Sequence, residues 1–268
     1  MKAEGQENLT KILKYYICKM CFEASSGHPS SSLSCADIIS TLHFEIMTKE
    51  DKFILSKGHA APALYAALII TGVLSKKHIS ELRKIDSPMQ GHPDVNRLPE
   101  VNLTSGALGQ GLSFSIGLAL SKKIKGENGY IYCLLGDGEI QEGQVWEASM
   151  FAGNRGIDNL IVFLDNNGGQ SDGRVEEIMN LEPIAEKWKS FGWSVETING
   201  HNQKEIKSSV TNHRKSDLKS PLMIISKTSK GYINENLNIL DGQHGGSVSK
   251  EDLQNVINEL SIDERSLL

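Results

Sequence analysis

Apolar positions along this chain fall into two periods. Near the start they recur as a helical stripe, Leu9, Ile12, Leu13, Tyr16, Ile17 and Met20, the spacing that buries one face of an amphipathic helix. A Ser/Gly/His-rich turn follows at 25–34. Then come a second apolar-periodic segment, Ala36 to Met47, and a short strand, Phe53-Ile54-Leu55, which runs straight into Ser56-Lys57-Gly58-His59. Residues 85–102 contain Pro88, Pro93 and Pro99 and show no period, which predicts a long loop of the kind that often carries function. From 107 onward the pattern alternates: helix 107–124, strand 130–135, helix 142–153, strand 159–165, helix 180–191, strand 193–198, helix 202–213 and strand 222–226. Wholly apolar strands such as Leu160-Ile161-Val162-Phe163-Leu164, separated by helices, predict an α/β fold with a mostly parallel sheet and helices on both faces. A last helix opens at Ser249 as N-cap with Asp252 at its third position, and buries Leu253, Val256, Ile257 and Leu260. No repeat or linker interrupts the pattern, so residues 1–268 read as a single domain.

Charge and composition exclude several classes of partner. A formal net charge of -5 with no dominant Lys/Arg cluster argues against nucleic acid, which needs a basic surface to neutralise phosphates. The longest apolar run, Ala60 to Ile70, carries Pro62 and falls far short of the roughly 20 residues that span a bilayer, so no membrane partner is expected. Charges spread through MKAEGQENLTKILKYY leave no export signal there, and the chain is expected to be cytoplasmic. Cys18, Cys21, Cys35 and Cys133 are too few and too unevenly placed for a disulfide framework. The Cys18-x-x-Cys21 pair lies on the first helical stripe, where packing is a better reading than zinc or redox chemistry.

The chemistry gathers at two strand ends. One strand runs into Gly136-Asp137-Gly138 and the next into Asn166-Asn167, and in a parallel sheet ligands sit beyond the carboxyl ends of the strands. Asp137 and Asn167 offer the hard oxygen atoms that Mg2+ or Ca2+ prefers, while the glycines let the backbone approach a charged ligand closely. With so few protein ligands, phosphate oxygens and water must complete an octahedron, which points to a metal-bridged diphosphate. Either turn alone is commonplace. Together, separated by 27 residues that span one helix and one strand, they resemble the thiamine diphosphate signature.

Further stretches narrow the resemblance: "SSGHPSSSLSCADI" (25–38), "FILSKGHAAPALYAAL" (53–68), "GHPDVNRLPEVNLTSGALGQG" (91–111), "GDGEIQEGQVWEA" (136–148), "DNNGGQSDG" (165–173) and "GQHGG" (242–246). In this order they resemble the N-terminal, diphosphate-binding domain of the transketolase family over about residues 8–250. The resemblance implies thiamine diphosphate as cofactor and Mg2+ as metal, with Ca2+ or Mn2+ as substitutes. It makes Asp137, Asn167 and the Gly169 carbonyl the metal ligands. His59, Gly106, Leu108, Gly136, Asp137, Gly138, Glu142, Asn167 and His244 become the cofactor-binding set. His28, His59, His92 and His244 would surround the diphosphate and the sugar hydroxyls as catalytic residues, and Glu142 would join a carboxylate network between subunits. His43, His78, His201 and His213 stay as ordinary turn or packing residues. The implied reaction moves a two-carbon ketol unit from a ketose or its phosphate to an aldose acceptor, with imidazoles near neutral pKa handling protons and the cofactor as electron sink.

In that family the glutamate that activates the cofactor lies on a second, pyrimidine-binding domain, and nothing after residue 250 resembles the start of one. The resemblance therefore implies a split enzyme, with a C-terminal partner subunit carrying that domain and an α2β2 assembly. One departure stands out: Gly168-Gly169-Gln170-Ser171 replaces the usual branched apolar residues, and predicts a more flexible loop and a looser pocket. Three other readings compete. The chain could serve a thiamine-dependent 2-oxoacid dehydrogenase or decarboxylase; it could be a nucleotide-binding oxidoreductase, for which no early G-x-G-x-x-G exists; or it could be degenerate and only bind a partner.

Overall fold

In the computed structural model, residues 2–240 and 245–267 are described. The chain opens with α1 (Lys2–Glu23), α2 (Pro29–Ser34) and α3 (Ala36–Thr41), which passes through a π-helical turn at Leu42–Ile46 into β1 (Lys52–Leu55). Then come α4 (Ala61–Ile70), α5 (Gln110–Lys125), β2 (Ile131–Gly136), α6 (Gly143–Asn154) and β3 (Leu160–Asn166). A two-residue ladder, β4 (Gly169–Gln170) with β5 (Gly173–Arg174), leads to α7 (Val175–Met179), α8 (Ile184–Ser190), β6 (Ser194–Asn199), α9 (Gln203–Lys215) and β7 (Leu222–Lys227). The chain ends with α10 (Lys250–Leu260) and α11 (Glu264–Leu267).

Five strands form one sheet in the order β1-β2-β3-β7-β6, with every pair parallel. Alternate residues of the same strands face two separate cores, as a pleat of period two requires. Phe53, Leu55, Tyr132, Leu134, Ile161, Phe163, Leu222 and Ile224 pack with residues of α1, α3, α4, α9 and α10 on one face. Ile54, Ile131, Cys133, Leu135, Leu160, Val162, Leu164, Met223 and Ile225 pack with α5, α6 and α8 on the other. Burial on both sides makes the central strands continuously apolar, and each large side chain so buried contributes about 1.5–3 kcal/mol. Cys18 and Cys21 lie buried inside the first core as free thiols, as their place on the stripe predicts. Among the described residues no helix is long and apolar enough to cross a membrane.

Several expected boundaries shift for local reasons. The 25–34 turn contains α2, with Pro29 at its first position, where the missing N–H costs nothing and the fixed φ suits a helix. The helix expected at 107–124 begins only at Gln110, because Gly109 takes φ +81 ahead of it. The helix expected at 180–191 shortens to α8, with Pro183 at its N-cap. The loop of 85–102 keeps a single 3-10 turn, Pro99–Val101, but buries Met89, Leu98 and Val101 in the first core. Ser249 and Asp252 form a full capping box on α10.

Candidate functional site

The register of the sheet builds the site. Gly136 at the end of β2 stands opposite Asp165 in β3, so the turns that follow both strands emerge side by side. Asp137 Oδ1 accepts from the Gly138 amide at 2.8 Å, and Oδ2 accepts from the Gly168 amide across the gap at 2.6 Å. One carboxylate thus joins the two turns. Asn167 turns its carboxamide oxygen to the Gly169 amide (3.1 Å) and donates to Asp165 Oδ2 (3.1 Å) and Ser34 Oγ (3.3 Å). The glycine-rich segment that follows is engaged by these bonds, by the β4–β5 pairing and by Val175 N to Gly168 O at 2.9 Å.

Beneath this surface lies a buried charge network. Lys57 and Asp165 form an ion pair with side chains 1% and 0% exposed, and the Lys57 ammonium also donates to Ser31 O at 3.1 Å. Asp165 accepts further bonds from Ser34 Oγ (2.5 Å) and Thr228 Oγ1. Although burial opposes its charge, the Lys57 ammonium and these donors hold its carboxyl below the usual range. Asp137 is shifted the other way. Burial and the negative charge of Asp165 push its carboxyl up to about 6, against the pull of two amides and Lys57.

A second buried carboxylate, Glu139, ties three loops together. Its oxygens accept from Ser56 Oγ, from Gly109 N (2.8 Å) and from Gly136 N (3.0 Å), while Ser56 Oγ accepts from Gly111 N (3.1 Å). Burial raises its pKa against these donors.

Three histidines converge from separate loops. The ring centroids of His28 and His59 are 5.5 Å apart, and those of His28 and His92 are 6.1 Å apart. Burial and the Arg83 guanidinium lower the pKa of His92. Gly106, at φ +140, lies so close to His92 that a Cβ there would meet its ring at 3.2 Å. The Leu108 carbonyl accepts from Gln144 Nε2 at 2.8 Å. Glu142 lies exposed at the N-cap of α6, its Cβ 3.1 Å from where a Gly109 Cβ would stand. His244 lies outside the described residues.

The residue types suit a cation-held anion. A carboxylate 2% exposed and short of positive charge, Asp137, faces a backbone cleared by glycine: a Cβ on Gly138 would meet Gln170 Cβ at 2.8 Å. Lys230, 7% exposed, brings another cation to the same place, its ammonium 2.7 Å from where a Gly169 Cβ would stand. Burial and Lys57 lower its pKa, while Asp137 and Asp165 raise it. Among the described residues no group of three or more His, Cys, Asp or Glu is arranged to hold a metal, so an ion here would rely on Asp137 with neutral oxygens.

Sequence reasoning missed Lys57, Asp165, Glu139 and Lys230. Lys57, Glu139 and Asp165 sit inside matched motifs, but none of these residue types announces its own burial. The other histidines left as ordinary residues divide: His78 pairs with Glu81 (2.6 Å), and His213 Nε2 meets Asp158 O (3.3 Å). His43 packs edge-on against Phe53, whereas His201 joins a buried polar cluster.

Comparison with known proteins agrees with this geometry. The family model "Transketolase, thiamine diphosphate binding domain" matches residues 6–267. The 6-deoxy-6-sulfo-D-fructose transketolase subunit of Clostridium sp. (strain MSTE9) is 41% identical over 76% of this chain and 78% of its own. An apulose-4-phosphate transketolase subunit from Phocaeicola vulgatus is 32% identical over 97% of this chain and 95% of its own. The crystal structure of Campylobacter jejuni transketolase superimposes with a TM-score of 0.89 at 30% identity, over 96% of this chain but only 43% of that one. With a family model matched along nearly its whole length, the chain belongs to the transketolase family, as a thiamine diphosphate-binding domain.

Proposed function

We propose that this chain is the cofactor-binding subunit of a split transketolase. It would transfer a two-carbon ketol unit from a ketose or ketose phosphate to an aldose acceptor together with a C-terminal partner subunit. The observation that carries this reading is the Asp137 carboxylate, which spans the turns at the ends of β2 and β3 while short of positive charge. Asp137, the Asn167 carboxamide oxygen and the Gly169 carbonyl would hold Mg2+, and the backbone at Gly136 and Gly138 would meet the diphosphate. Lys230 would supply a second positive charge to it. When bound, the cofactor supplies the electron sink for breaking and making a carbon–carbon bond. His28, His59 and His92 would orient sugar hydroxyls and move protons at them.

A partner is supported on two grounds. The chain spans 43% of the solved Campylobacter transketolase, and two relatives of similar length are named as subunits. α5 exposes Phe114, and α6, capped by Glu142, exposes Met150 and Phe151, apolar side chains available to the partner. Its expected place is the cytoplasm.

Isothermal titration of thiamine diphosphate with Mg2+ into this chain, alone and with the partner subunit, tests the reading. Binding that is lost in Asp137→Ala, together with ketol transfer by the pair, is the expected result. No binding by wild type within a stable complex would sink the catalytic reading in favour of a degenerate subunit.

A further inference from the structure

His201 follows β6 at a turn whose Gly200 allows two strand exits to touch. A Cβ on Gly200 would collide with Thr228 Cγ2 and stand 2.9 Å from Ser226 Cβ, and the Gly200 amide donates to Lys227 O at 2.8 Å. The imidazole then reaches in two directions. Nε2 lies 2.9 Å from the Ser229 amide, which can only donate, so Nε2 is the accepting nitrogen. Nδ1 therefore carries the proton and donates to Asp37 Oδ2 at 3.0 Å. Asp37 is itself fixed: Lys14 Nζ donates to the same oxygen at 2.9 Å and to Ile233 O at 2.9 Å. Tyr232 stacks on the His201 ring at 3.6 Å and lies under the Lys14 ammonium.

Both residues that His201 grips, Ser229 and Tyr232, flank Lys230-Gly231. Gly231 N donates to Ser30 O (2.9 Å), next to the His28 turn, and Thr228 Oγ1 donates to Asp165. The loop from Thr228 to Tyr232 is thus held on one side by the charge network and on the other by His201. Between these anchors Lys230 passes over Gly169 toward Asp137.

We infer that His201 is a positioning residue for the cofactor cradle: relaying from the buried Asp37 to the Ser229 amide, it fixes the loop that sets the Lys230 ammonium against the diphosphate site. The inference rests on the diphosphate reading proposed above. His201 touches no reacting group and acts only through the loop.

The test is a double-mutant cycle in the full chain with its partner subunit, using His201→Phe, Lys230→Met and the double variant, with thiamine diphosphate and Mg2+ affinity read by titration. His201→Phe keeps an aromatic surface for Tyr232 but removes both hydrogen bonds. It is expected to weaken binding about tenfold in the wild-type background and hardly at all when Lys230 is already Met. His201→Gln, which can still offer an oxygen to Ser229, should recover most of that loss. Hydrogen exchange at Ser229 to Gly231, measured without cofactor, should accelerate in His201→Phe and stay slow in Lys230→Met. Equal weakening in both backgrounds, or unchanged exchange and affinity in His201→Phe, would overturn the inference while leaving the site reading intact. No cofactor binding by wild type would instead overturn the site reading, and this role with it.

Discussion

The ends of β2 and β3 present the same residue type in two opposite states. Asp137 follows β2 and Asp165 lies near the end of the neighbouring parallel strand β3; they are 2% and 0% exposed and interact electrostatically. Yet the carboxyl of Asp165 is held below its ordinary range while that of Asp137 is pushed up to about 6. Burial disfavours both charges, and the neighbours decide the direction. Asp165 owns a lysine, two hydroxyls and an amide; Asp137 owns two backbone amides and faces Asp165's charge. A buried carboxylate with its counter-ion built in serves the fold, and the cation-holding role proposed for Asp137 needs one left shorter of positive charge.

The contrast can be broken most severely from the Asp165 side. Lys57→Met leaves Asp165 buried and unpaired, and urea denaturation should show a loss of about 3–5 kcal/mol. Glu139→Ala should come next. It strands the Ser56 hydroxyl and the Gly109 and Gly136 amides in the interior, for a loss of about 2–3 kcal/mol in the same measurement. Asp137→Asn sharpens the comparison because two effects oppose. A raised folded pKa means that the ionised form costs stability at pH 7, but an asparagine keeps a single acceptor oxygen for the two amides, so the variant without Mg2+ should stay within about 1 kcal/mol of wild type. It should also lose the thermal shift that Mg2+ with thiamine diphosphate gives wild type. A result in which Asp137→Asn destabilises as much as Lys57→Met would erase the distinction. Gly169→Ala should have the smallest effect on folding, below about 1 kcal/mol, since its Cβ meets the flexible end of Lys230. Its consequence belongs to binding: a displaced ammonium should raise the Mg2+ concentration needed for half-saturation with cofactor, readable by titration.

Much of the fold could be read from periodicity. The apolar runs at 131–135 and 160–164 belong to strands buried on both faces, and the alternation from 107 onward is a parallel sheet with helical crossovers. Strand order could not be read, because β7 inserts between β3 and β6 through contacts that no local pattern encodes. The helix inside 25–34 was hidden by a run of serines that usually marks a turn, although Pro29 was a legible start signal. The two turn motifs singled out Asp137 and Asn167, and the structure brings the two turns side by side. Glu139 and Glu142 show the limit. Three residues apart in one motif, one is buried as a three-way acceptor and the other exposed at the N-cap of α6, and nothing in their spacing distinguishes them. Lys57 is similar: a lysine beside glycine reads as surface until a buried aspartate from another strand is placed against it. Gly168 and Gly169 donate to Asp137 and Asn167, and the missing side chain at 169 leaves the path that Lys230 follows.

The Glu139 carboxylate also bears on how the pocket comes into being during folding. Its partners at Ser56, Gly109 and Gly136 lie 83, 30 and 3 positions away in sequence, so only the last bond can form before the chain has closed long loops. The entropy of those closures is met chiefly by the two cores on either side of the sheet, and the polar bonds are gained once β1 and β2 are already aligned. The Ser56 and Gly109 bonds to Glu139 are therefore expected to form after β1 and β2 pair, whereas the Gly136 bond can form locally before them.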